Sequence, residues 1–149
     1  MNETGARKRI LVVDDDEIQA LFAQAILDME YDVTCVTSGS EALRLVSTGQ
    51  VPDLVLLDVL MPGMDGFETY DRMRRLGPMK DLPILFLTSV KGTEEARRAL
   101  KKGAADYITK PYVVENFTNR IKNALQVYEY KRRAAASAAR PPKGTARTS

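Results

Sequence analysis

The chain has 149 residues, 44% of them hydrophobic and 28% charged, enough for one domain with its own core. It contains no histidine and one cysteine, which excludes a Ser-His-Asp triad, most zinc sites, an internal disulfide and a phosphohistidine on this chain. Net charge is +2, but residues 131–149 hold Lys131, Arg132, Arg133, Arg140, Lys143 and Arg147 and no acid, so an acidic body carries a basic tail.

In chain order, Met1 to Arg9 is polar and lacks the apolar core of a signal peptide, and no apolar run approaches the ~20 residues of a membrane span. A cytoplasmic protein without membrane contact is expected, with Cys35 a buried, inert thiol. Ile10-Leu11-Val12-Val13 is a continuous apolar run that ends on Asp14, Asp15 and Asp16. From Glu17 the apolar residues Ile18, Leu21, Phe22, Ala25, Ile26 and Met29 recur at helical spacing. Asp32 to Val36 is short and partly alternating, which predicts an edge strand. Ser38 and Glu41 match a capping box that opens a helix through Val46, stopped near Gly49.

Leu54 to Leu57 is a second continuous run, bounded by Pro52 and by Pro62-Gly63, and it ends on Asp58. A helix with Phe67, Tyr70 and Met73 on one face comes next, and Gly77-Pro78 ends it. Leu82 to Leu87 is a third run, ending on Thr88-Ser89. Thr93 can cap the next helix, with Glu94 and Glu95 in its first turn, Lys101 and Lys102 in its last, and Gly103 as its stop. Asp106 to Thr109 is a short strand before Lys110-Pro111. The final helix starts near Glu115, carries Phe117, Ile121, Ala124, Leu125 and Tyr128, and continues to about Ala139. Pro141-Pro142 ends any helix, and Lys143 to Ser149 is read as disordered.

Five strands alternating with five helices predict an α/β, (βα)5 fold with a doubly wound parallel sheet. The three fully apolar strands should be central and the weaker second and fifth should be edges. That gives the order 2-1-3-4-5, flavodoxin-like, with its ligand crevice at the carboxyl ends of strands one and three. Asp14, Asp15, Asp58, Thr88 and Lys110 then converge on one rim. Three carboxylates there need a compensating cation, and oxygen-only donors suit Mg²⁺. A metal, a lysine and a hydroxyl around a carboxylate can hold the three equatorial oxygens of a transferring phosphoryl group, with Asp58 as nucleophile.

Val12-Val13-Asp14-Asp15, Asp58 within Leu57 to Pro62, Met64-Asp65-Gly66, Thr88-Ser89 and Lys110-Pro111 together resemble the receiver domains of two-component response regulators, over about residues 8–128. The resemblance implies a phosphorylation-activated switch in which Asp58 takes a phosphoryl group from a sensor histidine kinase or histidine phosphotransfer protein. It implies that Asp15, Asp58 and the Leu60 backbone carbonyl bind Mg²⁺, with Asp14 acting mainly through water. Lys110 would pair with the phosphoryl oxygens, Thr88 would swing onto them, and Tyr107 would turn inward behind it. The fourth helix, fifth strand and fifth helix would form the output face, and a homodimer through it is an option. Such a domain is no enzyme beyond its own phosphorylation and dephosphorylation.

Asp16 reads as helix-start charge, and Met61 and Met64 as loop packing. Val113 stands where many relatives place a capping Ser, Thr or Asp. Leu60 and Val90, both apolar, would shield an acyl phosphate from water and slow its hydrolysis. A haloacid-dehalogenase-like phosphatase is the rival enzyme reading, through Asp14-Asp15-Asp16. It lacks an acid pair after the fourth strand and room for a cap domain. A degenerate receiver that only binds partners would not need all five site residues. Residues 129–149 read as a helical extension and basic linker, and no recognition helix in residues 1–130 supports sequence-specific DNA binding.

Overall fold

The computed structural model describes residues 7–89 and 93–139. Its elements are β1 (Arg9–Val13), α1 (Glu17–Leu27), β2 (Asp32–Val36), α2 (Gly39–Ser47), β3 (Leu54–Asp58), α3 (Gly66–Arg74), a 3-10 turn (Gly77–Met79), β4 (Ile84–Thr88), α4 (Thr93–Lys102), β5 (Asp106–Thr109) and α5 (Val114–Ala139). The five strands form one parallel sheet in the order β2-β1-β3-β4-β5, as the apolar runs predict. β1, β3 and β4 are buried along nearly their whole length, while β2 alternates and β5 is half-buried. Apolar content therefore decided which strands are central.

Successive strand residues feed opposite faces. Leu11, Val13, Val55, Leu57 and Phe86 pack with Phe67, Tyr70 and Met73 of α3 and Ala42 and Val46 of α2. Ile10, Val12, Leu54, Leu56, Leu85 and Leu87 pack with Ala20, Ala23 and Leu27 of α1 and Phe117, Ile121 and Ala124 of α5.

The local signals hold with three differences. Ser38 Oγ accepts from the Glu41 N–H at 3.1 Å, but the Glu41 carboxylate accepts from the Thr37 N–H at 3.0 Å, one residue before the cap, so the box is displaced on one side. Cys35 is half-buried rather than buried, because β2 is an edge; burial still raises its thiol above the ordinary value, with Asp28 and Asp14 adding to it. The third difference is the face of α1. The helix forms where its apolar spacing predicts, yet Ile18 and Leu21 are 74% and 64% exposed, and the alanine face meets the sheet instead. Gly103 ends α4 with φ +104, a conformation that L side chains rarely adopt. The expected Thr93 cap, Val90 and the tail from Arg140 lie outside the described residues or side chains.

Candidate acidic phosphoryl site

The strand ends place the site. β1 pairs with β3 from Ile10–Leu54 to Val13–Leu57, so Asp14 and Asp58 leave adjacent strands at the same level. Asp14 is fully buried and Asp58 nearly so. Carboxylate oxygens of Asp14, Asp15 and Asp58 all lie within 4.8 Å of one another. Asp16 turns away: its Oδ1 accepts the Ile18 and Gln19 N–H groups and caps α1. Its own N–H donates to Asp14 Oδ1 at 3.0 Å, which fixes that carboxylate.

After β3 the chain turns back on itself. The Gly66 N–H donates to the Val59 carbonyl at 2.9 Å, and Asp65 caps α3 by accepting the Glu68 N–H. A Cβ on residue 66 would stand 2.2 Å from the Asp58 carbonyl oxygen, so only glycine lets the loop approach this closely. Leu60 lies in this loop with its side chain 56% exposed, and Met61 packs into the core. On the far side, the Lys110–Pro111 peptide is cis. The Lys110 ammonium lies 2.8 Å from Asp14 Oδ2 and 3.3 Å from Asp58 Oδ1.

The charges explain each other. Burial pushes Asp58 up from the ordinary 3.8 to about 7; Lys110 opposes that shift, and Asp14 and Asp15 add to it. Burial alone would lower Lys110, but its close pairing with the charges of Asp14 and Asp58 outweighs burial and raises it. One ammonium thus leaves three crowded carboxylates under-neutralised. An all-oxygen donor set with that residual negative charge fits a hard divalent cation such as Mg²⁺.

Thr88 ends β4 with its side chain buried. Its hydroxyl donates to Glu95 Oε1 on α4 at 3.3 Å. Tyr107 pairs with Phe86, two residues before Thr88, and is half-buried beside the Arg120 guanidinium, 5.8 Å from the ring centroid. Tyr107 is therefore outside the acidic cluster. Sequence reading took Glu95 only as helix-start charge. Its contact with Thr88 is set by how α4 packs, which no local pattern encodes. Val113 stands at the start of α5, 66% exposed, and offers no side-chain oxygen as a cap.

Residues 10–122 match the response regulator receiver domain family. The chain belongs to that family. It is 39% identical over 121 residues to the uncharacterized transcriptional regulatory protein YrkP of Bacillus subtilis, covering 80% of this chain and 50% of that protein. It is 38% identical over 104 residues to the response regulator PleD of Caulobacter vibrioides, covering 69% of this chain and 23% of that protein. The chain thus spans half or less of these relatives. Among solved structures, a CheY-like receiver domain protein from Methanospirillum hungatei superimposes with a TM-score of 0.76 at 28% identity, covering 85% of this chain and 99% of the other. Receiver domains are signalling domains of two-component systems and are generally not enzymes. No helix among the described residues is long and apolar enough to cross a membrane.

Proposed function

We propose that this receiver domain is switched by phosphorylation of Asp58. The observation that carries the reading is the Lys110 ammonium set between Asp14 and Asp58, within a cluster of three carboxylates. In the reaction, an ionised Asp58 oxygen forms a bond to phosphorus. The P–N bond of a donor phosphohistidine breaks, and the imidazole leaves with the electron pair and takes up a proton. Asp14, Asp15, Asp58 and the Leu60 carbonyl would hold Mg²⁺, which when bound neutralises phosphoryl oxygens and favours the ionised form of Asp58. Lys110 supplies the fixed positive charge. Thr88 would give up Glu95 and donate to a phosphoryl oxygen, which ties the site to α4, with Tyr107 following on β5.

The partners proposed are a sensor histidine kinase or a histidine phosphotransfer protein. Ile18 and Leu21 give the outer face of α1 an exposed apolar surface, on the helix next to the Asp14–Asp16 run. A helical phosphodonor could dock there. We also propose that the α4–β5–α5 face responds by self-association. Sedimentation velocity should then show a larger species with beryllofluoride, and an unchanged monomer would remove that part of the reading.

The central test is intact mass after acetyl phosphate and Mg²⁺. Wild type should gain one phosphoryl group and Asp58→Asn none, while the variant keeps its fold. Full modification of the variant would move the acceptor to another residue.

A further inference from the structure

Beside the acidic cluster, one buried donor is unassigned. Tyr112 is 7% exposed, two residues after Lys110. Its ring is held between two helices: it stacks on Phe117 of α5 at 4.4 Å and on Phe22 of α1 at 6.0 Å. Its hydroxyl is buried and has no hydrogen-bond partner among the described residues. A buried hydroxyl without a partner carries a desolvation cost, so native structures seldom leave one without a role. Burial raises the phenol above its ordinary value, and the carboxylates of Asp14, Asp58 and Asp16 raise it further, in that order. Tyr112 lies in the short segment between β5 and α5 that carries the Lys110 ammonium to within 2.8 Å of Asp14 Oδ2.

Asp14 has the complementary deficiency. Its Oδ1 accepts the Asp16 N–H, but Oδ2 accepts no well-angled hydrogen bond and rests on the Lys110 ion pair at 2.8 Å. On the proposed function, that ammonium must turn toward phosphoryl oxygens when Asp58 is loaded. A fully buried carboxylate oxygen would then lose its one close partner.

We propose that Tyr112 is a positioning residue of the acidic site, whose O–H donates to the Asp14 carboxylate, directly or through one water, when the site takes up its cation and phosphoryl group. The inference rests on the Mg²⁺ reading above. Phenylalanine would fill the same space between Phe22 and Phe117, so sequence alone reads residue 112 as packing; the unpartnered hydroxyl separates the two roles. The role resembles the outer-shell hydrogen bonds that orient metal-ligating carboxylates.

The test compares the wild-type 149-residue chain with Tyr112→Phe. In EDTA the variant should melt at the same temperature or higher, because it sheds an orphaned buried hydroxyl. With MgCl₂ and beryllofluoride in the phosphoryl position, calorimetry should show its Mg²⁺ dissociation constant raised roughly 10-fold, the low end of outer-shell effects, and its Mg²⁺-induced rise in Tm should shrink. A merely packing role would instead shift both melting temperatures equally and leave Mg²⁺ affinity unchanged. As a second readout, the wild-type Tyr112 ring-carbon resonance, in protein labelled at tyrosine Cζ, should shift as MgCl₂ is added. Equal Mg²⁺ affinity in the two proteins, or a Tyr112 resonance that does not move while wild type binds, would overturn the inference and leave the Mg²⁺ reading standing. A wild type that binds no Mg²⁺ would overturn both.

Discussion

At the scale of single residues, the site is a problem in buried charge. Asp58 is nearly buried, and that burial raises it from 3.8 to about 7 against the pull of Lys110. A carboxyl whose folded-state value is raised binds its proton more tightly in the native state. Its contribution to stability is fully present below about pH 4 and is lost as pH rises through about 7. Without divalent cation, wild type should therefore lose stability between pH 4 and pH 8. Asp58→Asn should be the more stable protein at pH 8, by an order of 1–3 kcal/mol after the lost Lys110 pairing offsets part of the shift. The gap should close at pH 4 and narrow at pH 8 when Mg²⁺ is added. Urea melts of both proteins at the two pH values check this. A variant less stable than wild type at pH 8 in EDTA would mean that Lys110 pairing outweighs burial.

At the scale of elements, the sequence made the strands and their order legible, because a fully buried parallel strand must be apolar on both faces. Asp14, Asp58 and Lys110 sit at the strand ends, so their convergence was legible once the order was. What a one-dimensional pattern could not give was the choice between two faces of α1. Ile18, Leu21 and Phe22 look like a core stripe, yet Ala20 and Ala23 meet the sheet, because small side chains let the helix lie close over β1 and β2. The Thr88–Glu95 contact and the Tyr112 stacking were invisible for a related reason: both join residues through packing between elements. The exposed stripe has a consequence. Leu21 contributes little to the core, so Leu21→Glu should shift Tm by no more than about 1–2 °C. If a phosphodonor docks on α1, the same change should slow phosphotransfer from the cognate protein while leaving labelling by acetyl phosphate unchanged. Equal phosphotransfer rates for wild type and variant would place docking elsewhere.

At the scale of the whole molecule, the question is where the receiver ends. α5 runs from Val114 to Ala139, well past residue 122, where the family match stops. Its apolar stripe continues through Leu125 to Tyr128, and both side chains pack against the core while remaining partly exposed. The next residue, Glu129, pairs with Lys8 at 3.7 Å, and one turn beyond Tyr128 the Arg132 guanidinium stands 5.7 Å from the Tyr128 ring centroid. From Arg133 to Ala138 every side chain is exposed. Among the described side chains the last anchored turn is thus 128–132, and those of 133–138 face solvent. A chain ending at Arg133 should melt within about 2 °C of the 149-residue chain, since the described side chains it removes, 134–138, are exposed. A chain ending at Gln126 removes a half-buried tyrosine and the Glu129 pair. Half of the ~1.5–3 kcal/mol gained by burying a large side chain is about 1 kcal/mol, and the exposed ion pair adds little. That loss corresponds to several degrees in a domain of this size. Mg²⁺ affinity should be the same in both chains, because the acidic site lies at the opposite ends of the strands from this turn. Equal melting temperatures for the two truncations would place the boundary before Tyr128, and a drop already at Arg133 would mean that the alanine-rich turns have a partner.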